Sequence, residues 1–205
     1  MCNRYLNDLR KAGLELEVFG FEEWSETQIE VFPDREGLVF AKDREGRLAA
    51  QVMRWGFPPP PAQAAQRPVT NVRNLDSPYW RGWLDPRWRC LVPFTAFAEW
   101  SDERPKRERW FGLSSGRGGC FAGIWRPWTG VRGPKSAPVS GEHKLFAFLT
   151  CAPNRVVRPI HAKAMPVILE EAEAQRAWLE APAAAVPVLA APIADEALTV
   201  LDEAA

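Results

Sequence analysis

Histidine is scarce in this chain: only His143 and His161 occur, so a multi-histidine metal centre is not expected and few imidazoles are available for proton transfer. The four cysteines (Cys2, Cys90, Cys120, Cys151) lie far apart and form no C-x-x-C pair. That spacing argues against a zinc site and against a disulfide framework, so reduced thiols and no cofactor are expected. No run approaches the roughly 18 apolar residues of a membrane span. The start shows no charged segment followed by an apolar one, so no signal peptide is expected, and a soluble, cytoplasmic protein with no membrane partner is expected. Net formal charge is zero, and there is no internal repeat and no composition break that would mark a domain boundary. The 205 residues therefore read as one domain over 1–205, with 181–205 a C-terminal segment packed on it.

What the chain does have is unevenly distributed. Between Arg54 and Arg109 there are ten Lys or Arg residues against six acids, whereas from Glu170 onward there are eight acids and one arginine. A neutral total can thus hide a phosphate-binding face, although solvated faces are the commoner outcome of such asymmetry. Tryptophan is abundant at ten residues, six of them (Trp55, Trp80, Trp83, Trp88, Trp100, Trp110) within the same basic middle. Aromatic rings beside arginine suit a single-stranded nucleic-acid groove, but most tryptophans serve in cores.

Short β-like runs dominate: 37–40, 47–55, 89–94, 97–100, 109–113, 120–125 and 144–150, separated by Gly, Pro, Ser or charged turns. This predicts an α+β fold with a mainly antiparallel, barrel-like β core and a few flanking helices. Helices are expected over 77–84, with Ser77 as cap and Pro78 in the first position, and over 170–181, acidic in its first turn. A weaker helix is expected over 6–12. Segments 57–68 and 126–143 read as Pro/Gly/Ser-rich loops, the second long enough to be functional.

The stretch Met1-Cys2-Asn3-Arg4-Tyr5 places a thiol immediately after the initiator methionine. Methionine aminopeptidases act when the next residue is small, so the mature chain is expected to begin with Cys2. A terminal cysteine is a 1,2-aminothiol, its amine of pKa about 7.7–8.0 and its thiol near 8.5 both partly available at neutral pH. With an aldehyde, the amine gives a Schiff base and the thiol closes on the same carbon to a thiazolidine. The thiol can instead attack an ester or amide. An inert residue in a frayed terminus is the plain alternative.

Four segments offer groups to serve that thiol. Asn71 and Arg73, two apart on an extended segment, share a face and suit a sugar oxygen and a phosphate. Glu99 ends an apolar run, either structurally paired or held for proton transfer with its pKa raised by burial. His161 stands between two apolar runs. Thr150 ends a β-like run, placed to contact phosphate or orient Cys2.

Taken together, MCNRY, VFPD (31–34), MRWGFP (53–58), TNVRN (70–74), RCLVPFTAFAEW (89–100), FAGIW (121–125), LTCAPN (149–154) and IHAKAMPVIL (160–169) resemble the SOS-response-associated peptidase (SRAP) family of abasic-site processing proteins. The resemblance runs nearly end to end. It implies Cys2 as nucleophile, with Asn71, Glu99 and His161 as catalytic residues and Arg73 on phosphate, and Arg4, Trp55, Trp100 and Thr150 are expected to join it in contacting DNA. It further implies a monomer that binds single-stranded DNA containing abasic sites, nucleoid-associated when bound, and captures them as a thiazolidine crosslink during the SOS response. Lys163 stands where arginine is usual in the family, and Leu75 where an acid is usual. The alternative activity is a thiol autopeptidase using Cys2, His161 and Asn71 without crosslinking, and a non-catalytic single-strand binder is the third possibility.

Overall fold

Strand alternation explains how one set of residues fills the inside of a barrel and the next set coats its outside. The computed structural model describes residues 2–7, 30–60, 67–134 and 136–202. In chain order its elements are β1 (Tyr5–Leu6), β2 (Glu30–Val31), β3 (Glu36–Lys42), β4 (Leu48–Trp55), β5 (Asn71–Val72), α1 (Pro78–Arg81), β6 (Arg89–Phe94) and β7 (Ala96–Trp100). They continue with β8 (Glu108–Leu113), β9 (Gly119–Arg132), β10 (Val139–Cys151), β11 (Met165–Pro166), β12 (Ile168–Leu169), α2 (Ala172–Glu180), α3 (Val186–Leu189) and β13 (Leu198–Leu201).

Strands β10, β4, β3, β6 and β9 follow one another around a ring that closes where β9 pairs again with β10. Only the β10–β4 contact in that ring is parallel. Val39 and Ala41 of β3 and Phe146 and Phe148 of β10 belong to one buried cluster, which also takes Trp55, Phe94 and Phe121. Their neighbours Leu38, Phe40, Leu145, Ala147 and Leu149 belong to a second cluster, which includes Trp178 and Leu179 of α2. With period-two side chains, the first set lies inside the barrel and the second between barrel and helix. Strands buried on both faces need apolar residues at consecutive positions. That is why β6 and the second half of β10 read as unbroken hydrophobic runs rather than alternating ones.

A second sheet, ordered β13–β8–β7–β1–β2, lies beside the barrel and carries the start of the chain. Tyr5 pairs with Phe97 on β7 and with Val31 on β2. Its ring meets Trp55, Phe121 and Phe148 edge-on at 5.3, 5.7 and 6.2 Å, so it stops the adjoining end of the barrel. Gly37 makes room for it: a Cβ there would sit 2.8 Å from the Tyr5 hydroxyl.

Helix α1 starts as expected, with the Ser77 side chain accepting from the Tyr79 N–H and Pro78 in the first turn. Two expectations are corrected. Most of 126–143 is not a loop, because β9 runs to Arg132 and β10 begins at Val139, paired residue by residue. Cross-strand hydrogen bonds outweighed the Gly and Pro content, which is tolerated at an exposed hairpin edge. Of the helix expected over 6–12, Leu6 is a strand residue, and 8–12 lie outside the described residues. Among the described residues no helix is long and apolar enough to cross a membrane.

Arg89 is a buried tie between layers. It is 0% exposed, donates from Nε and Nη2 to the Leu84 carbonyl at 3.0 and 2.9 Å and from Nη1 to the Trp178 carbonyl at 2.5 Å, and lies over the Trp178 ring. Arg89→Met is expected to cost about 2–4 kcal/mol in urea unfolding, because it strands two buried carbonyls. Arg89→Lys should not restore it, since one ammonium cannot span both acceptors.

Candidate functional site

The start of the chain is held against β7 by backbone: Ala98 N–H donates to the Arg4 carbonyl at 2.9 Å. This places Cys2 fully buried beside Glu99, the next residue of β7. Asn71, brought in by the pairing of β5 with β10, donates from Nδ2 to the Cys2 carbonyl at 2.9 Å and to Thr70 Oγ1 at 2.8 Å. Among the described residues its buried Oδ1 meets no donor, which leaves an amide oxygen to be satisfied by a ligand. His161 sits with Nε2 3.8 Å from Glu99 Oε2. Its Nδ1 lies 3.2 Å from the Trp100 carbonyl and 3.9 Å from Asp102 Oδ1. A carbonyl at Nδ1 requires the proton there, so Nε2 faces Glu99 as an acceptor.

The electrostatics divide the labour. Burial, and next the negative charge of Glu99, push the Cys2 thiol well above its ordinary range, so it is a thiol rather than a thiolate until a base acts. Glu99 is raised from 4.5 to about 7, chiefly by burial, and so exchanges a proton near neutral pH. His161 is lowered, burial again being the main cause, which keeps the imidazole neutral at pH 7. A titrating carboxylate between a protonated thiol and a neutral imidazole can take a proton from one substrate group and return it to another.

A cleft of about 500 Å³ adjoins this cluster, lined by Arg73, Thr150, Cys151, Arg158 and Lys163 among others. Its walls are tied to the cluster along the chain, because Arg73 lies two residues past Asn71, and Ala162, also in its wall, follows His161. Arg73 Nη2 donates to the Lys163 carbonyl at 2.8 Å, pinning the two cleft walls together. The Thr150 hydroxyl donates to the Val72 carbonyl at 3.2 Å, so it braces β5 and presents only its lone pairs elsewhere.

The structure thus brings together Cys2, Asn71, Glu99 and His161, and sets Arg73 and Thr150 in the cleft beside them. Trp100 is 42% exposed while its carbonyl holds His161. Two residues expected to meet DNA stand elsewhere. Trp55 is 0% exposed, stacked on Phe148 at 5.2 Å, with its indole N–H on the Thr70 carbonyl. It supports the Asn71 segment from inside the core, where no base reaches. Arg4 is paired with Glu30 and, at 2.7 Å, with Glu108, so its charge fastens the first strand rather than facing outward. Asp102 and Arg158 join the site without having been expected from the sequence. Asp102 accepts the Ala162 N–H at 3.0 Å and faces His161; its signal was an acid three positions after Glu99, in Trp-Ser-Asp-Glu. Arg158 carried no signal beyond lying three residues before His161.

Comparisons with known proteins bear on the whole chain. The family described as SOS response associated peptidase (SRAP) matches residues 1–202. No curated protein matches. Among solved structures, the chain is similar to a protein from Bordetella bronchiseptica at TM-score 0.73 and 20% identity, covering 97% of this chain and 98% of that one. It is also similar to a protein from Bacteroides thetaiotaomicron at TM-score 0.68 and 23% identity, covering 84% and 76%. A phage-related protein from Bordetella bronchiseptica aligns at TM-score 0.68 and 19% identity, covering 98% and 93%. At these identities the solved structures establish a shared fold.

Proposed function

Because the chain belongs to the SOS response-associated peptidase (SRAP) family, and so to a group with a DNA-damage-associated, peptidase-like role, we propose that it captures abasic sites in single-stranded DNA as a thiazolidine on Cys2 once Met1 is removed. The observation that carries this reading is the grouping of Cys2, Asn71 and the Glu99–His161 pair.

The atoms balance without a cofactor. The Cys2 amine adds to C1′ of the ring-opened deoxyribose, and the carbinolamine loses water to give an imine. The Cys2 sulfur then bonds to the same carbon while its proton passes to nitrogen, so aldehyde and aminothiol give thiazolidine and water with no change of oxidation state. Glu99, titrating near 7, opens the sugar hemiacetal, protonates the departing hydroxyl and accepts the thiol proton in turn. His161 takes or supplies protons on the opened sugar, and in reverse during release. Asn71 fixes the Cys2 backbone and offers Oδ1 to the sugar. Arg73, Arg158 and Lys163 around the adjoining cleft suit the phosphates that flank the lesion. Trp100 offers a ring to an unstacked base. In this reading the protein works as a monomer in the cytoplasm, on the nucleoid when bound.

The alternative, a Cys-His-Asn hydrolase, finds less support. Asn71 bonds the Cys2 carbonyl and Thr70, while the groups that orient His161 are the Trp100 carbonyl and Asp102. The asparagine therefore does not position the imidazole as that relay needs.

Tag-free protein lacking Met1, mixed with an oligonucleotide carrying one abasic site, should give a heat-stable gel-shifted adduct. Acetylating the amine while sparing the thiol should abolish it, and an adduct that survives that block would sink the thiazolidine reading. Arg73→Ala is expected to weaken binding roughly tenfold and to lower the salt slope of binding by about one phosphate contact. Titrations at several salt concentrations check both.

A further inference from the structure

The closed barrel has two ends, and only one of them belongs to the site described above. At the Cys2 end Tyr5 is the stopper. The opposite mouth is formed where β3 ends at Lys42, β6 begins at Arg89 and the β9–β10 hairpin leaves the barrel. It holds a cavity of about 890 Å³, larger than the cleft beside Arg73 and within the range of small-molecule and nucleotide sites.

Three tryptophans stand in its wall, Trp88, Trp125 and Trp128. Trp88 and Trp125 meet edge to face at 5.2 Å, and Trp128 lies beside the His143 ring at 6.0 Å. The backbone is shaped for Trp128: a Cβ at Gly130 would come within 2.2 Å of its ring, so only glycine lets the indole lie down there. None of the three is fully buried, and among the described residues the enclosed indole N–H of Trp125 has no acceptor, which is unusual for a buried donor.

The charges at this mouth are unbalanced. Lys42, Arg44, Arg87 and Lys144 line it. Among the described residues Lys42, Arg44 and Lys144 form no ion pair, and Lys144 Nζ instead donates to Gln51 and lies 5.9 Å from the Trp125 ring centre. Of the acids nearby, Asp43 is held by Arg47 through three hydrogen bonds or ion pairs, and Glu45 lies 3.6 Å from the same guanidinium. Among the described residues Glu142 is the one lining acid that forms no ion pair. Aromatic faces ringed by unpaired cations match bases and phosphates, and disfavour a basic peptide.

We propose that this mouth is a second, non-covalent site for single-stranded nucleic acid. Bases stack on Trp128 and Trp88, a base or sugar acceptor meets the Trp125 N–H, and phosphates lie against Lys42 and Lys144. The site stands apart from Cys2 and does not depend on the crosslinking chemistry. It would hold undamaged strand while the other end of the barrel works on the lesion.

The test uses full-length protein and a short undamaged oligothymidylate, read by tryptophan quenching and by anisotropy of a labelled strand. An Arg73→Ala background weakens the Cys2-side cleft so that the mouth dominates. There, Lys42→Gln with Lys144→Gln should lower affinity roughly tenfold and reduce the salt slope by about 1.4, the share of two phosphates on a single strand. Trp128→Ala should remove most of the quenching. In an otherwise wild-type protein the two lysine changes should leave the adduct yield on an abasic oligonucleotide intact, so failure of this proposal and failure of Cys2 capture read differently. Unchanged affinity and slope in the lysine variants would overturn the site. Quenching by thymidine monophosphate as strong as by the oligonucleotide would overturn the strand assignment in favour of a free nucleotide.

Discussion

Cys2→Ser is expected to give no heat-stable adduct with an abasic oligonucleotide, a loss beyond the roughly hundredfold range of a gel assay, while still binding the DNA. Serine keeps the amine of a mature first residue, so the imine forms, but its hydroxyl closes only to a labile oxazolidine. Borohydride should therefore trap the serine variant covalently where heat alone reverses it. This outcome separates the proposed chemistry from a thiol hydrolase, in which the amine has no role. A serine variant that forms a heat-stable adduct without borohydride would show that the sulfur is dispensable. Folding should be little affected, since the change keeps size nearly constant in a buried position whose anchors are backbone groups, the Asn71–Cys2 and Ala98–Arg4 hydrogen bonds.

Glu99→Gln should slow capture by about 10²–10³-fold, the usual share of a positioned acid-base group. The pH dependence is more diagnostic than the magnitude. With Glu99 at about 7, the rate of the wild-type protein should rise through neutrality as the carboxylate that accepts the thiol proton appears. Glutamine removes that inflection and leaves only the rise of the terminal amine near 7.7–8.0. Stability should move the other way. The folded-state pKa of Glu99 lies above its ordinary 4.5, so its favourable contribution is complete below 4.5 and is lost as pH rises through about 7. Glutamine mimics the protonated form, so Glu99→Gln should be more stable than wild type at pH 8 by up to about 3 kcal/mol and nearly equal at pH 4. Urea melts at the two pH values check this, and equal gains at both would mean that burial does not set the carboxylate. A carboxyl kept where it costs stability fits a functional rather than structural group.

The longer strands were readable because each carries a local signal, whereas the short β1, β2, β5, β11, β12 and β13 carry none. Runs such as 89–94 and 144–150 are apolar at consecutive positions, and β3, β4 and β6 to β10 fall where those runs predict them. The hairpin at 126–143 was not readable, because its pairing partners come from each other across a turn and leave no apolar pattern at an exposed edge. Trp55 illustrates a different limit. Tryptophan beside arginine fits a base-stacking surface and a core equally well, and its stack on Phe148 and bond to Thr70 depend on how the barrel closes. Arg4 is similar: nothing local announces Glu30 or Glu108, which lie 26 and 104 residues away.

By itself the sequence determined the β-rich architecture and the thiol at position 2, because strand patterning and the residues flanking a cysteine are both properties of neighbouring residues. It also determined the family, whose motifs are short local strings matched over residues 1–202. Only the tertiary structure decided which groups surround that thiol. Glu99 acquires a pKa near 7 from burial, His161 takes its tautomer from the Trp100 carbonyl, and Asp102 joins them across 59 residues of chain. The opposite mouth of the barrel was equally hidden, for the same reason: desolvation and charge imbalance are sums over residues from four strands and two connecting segments, and no segment carries them alone.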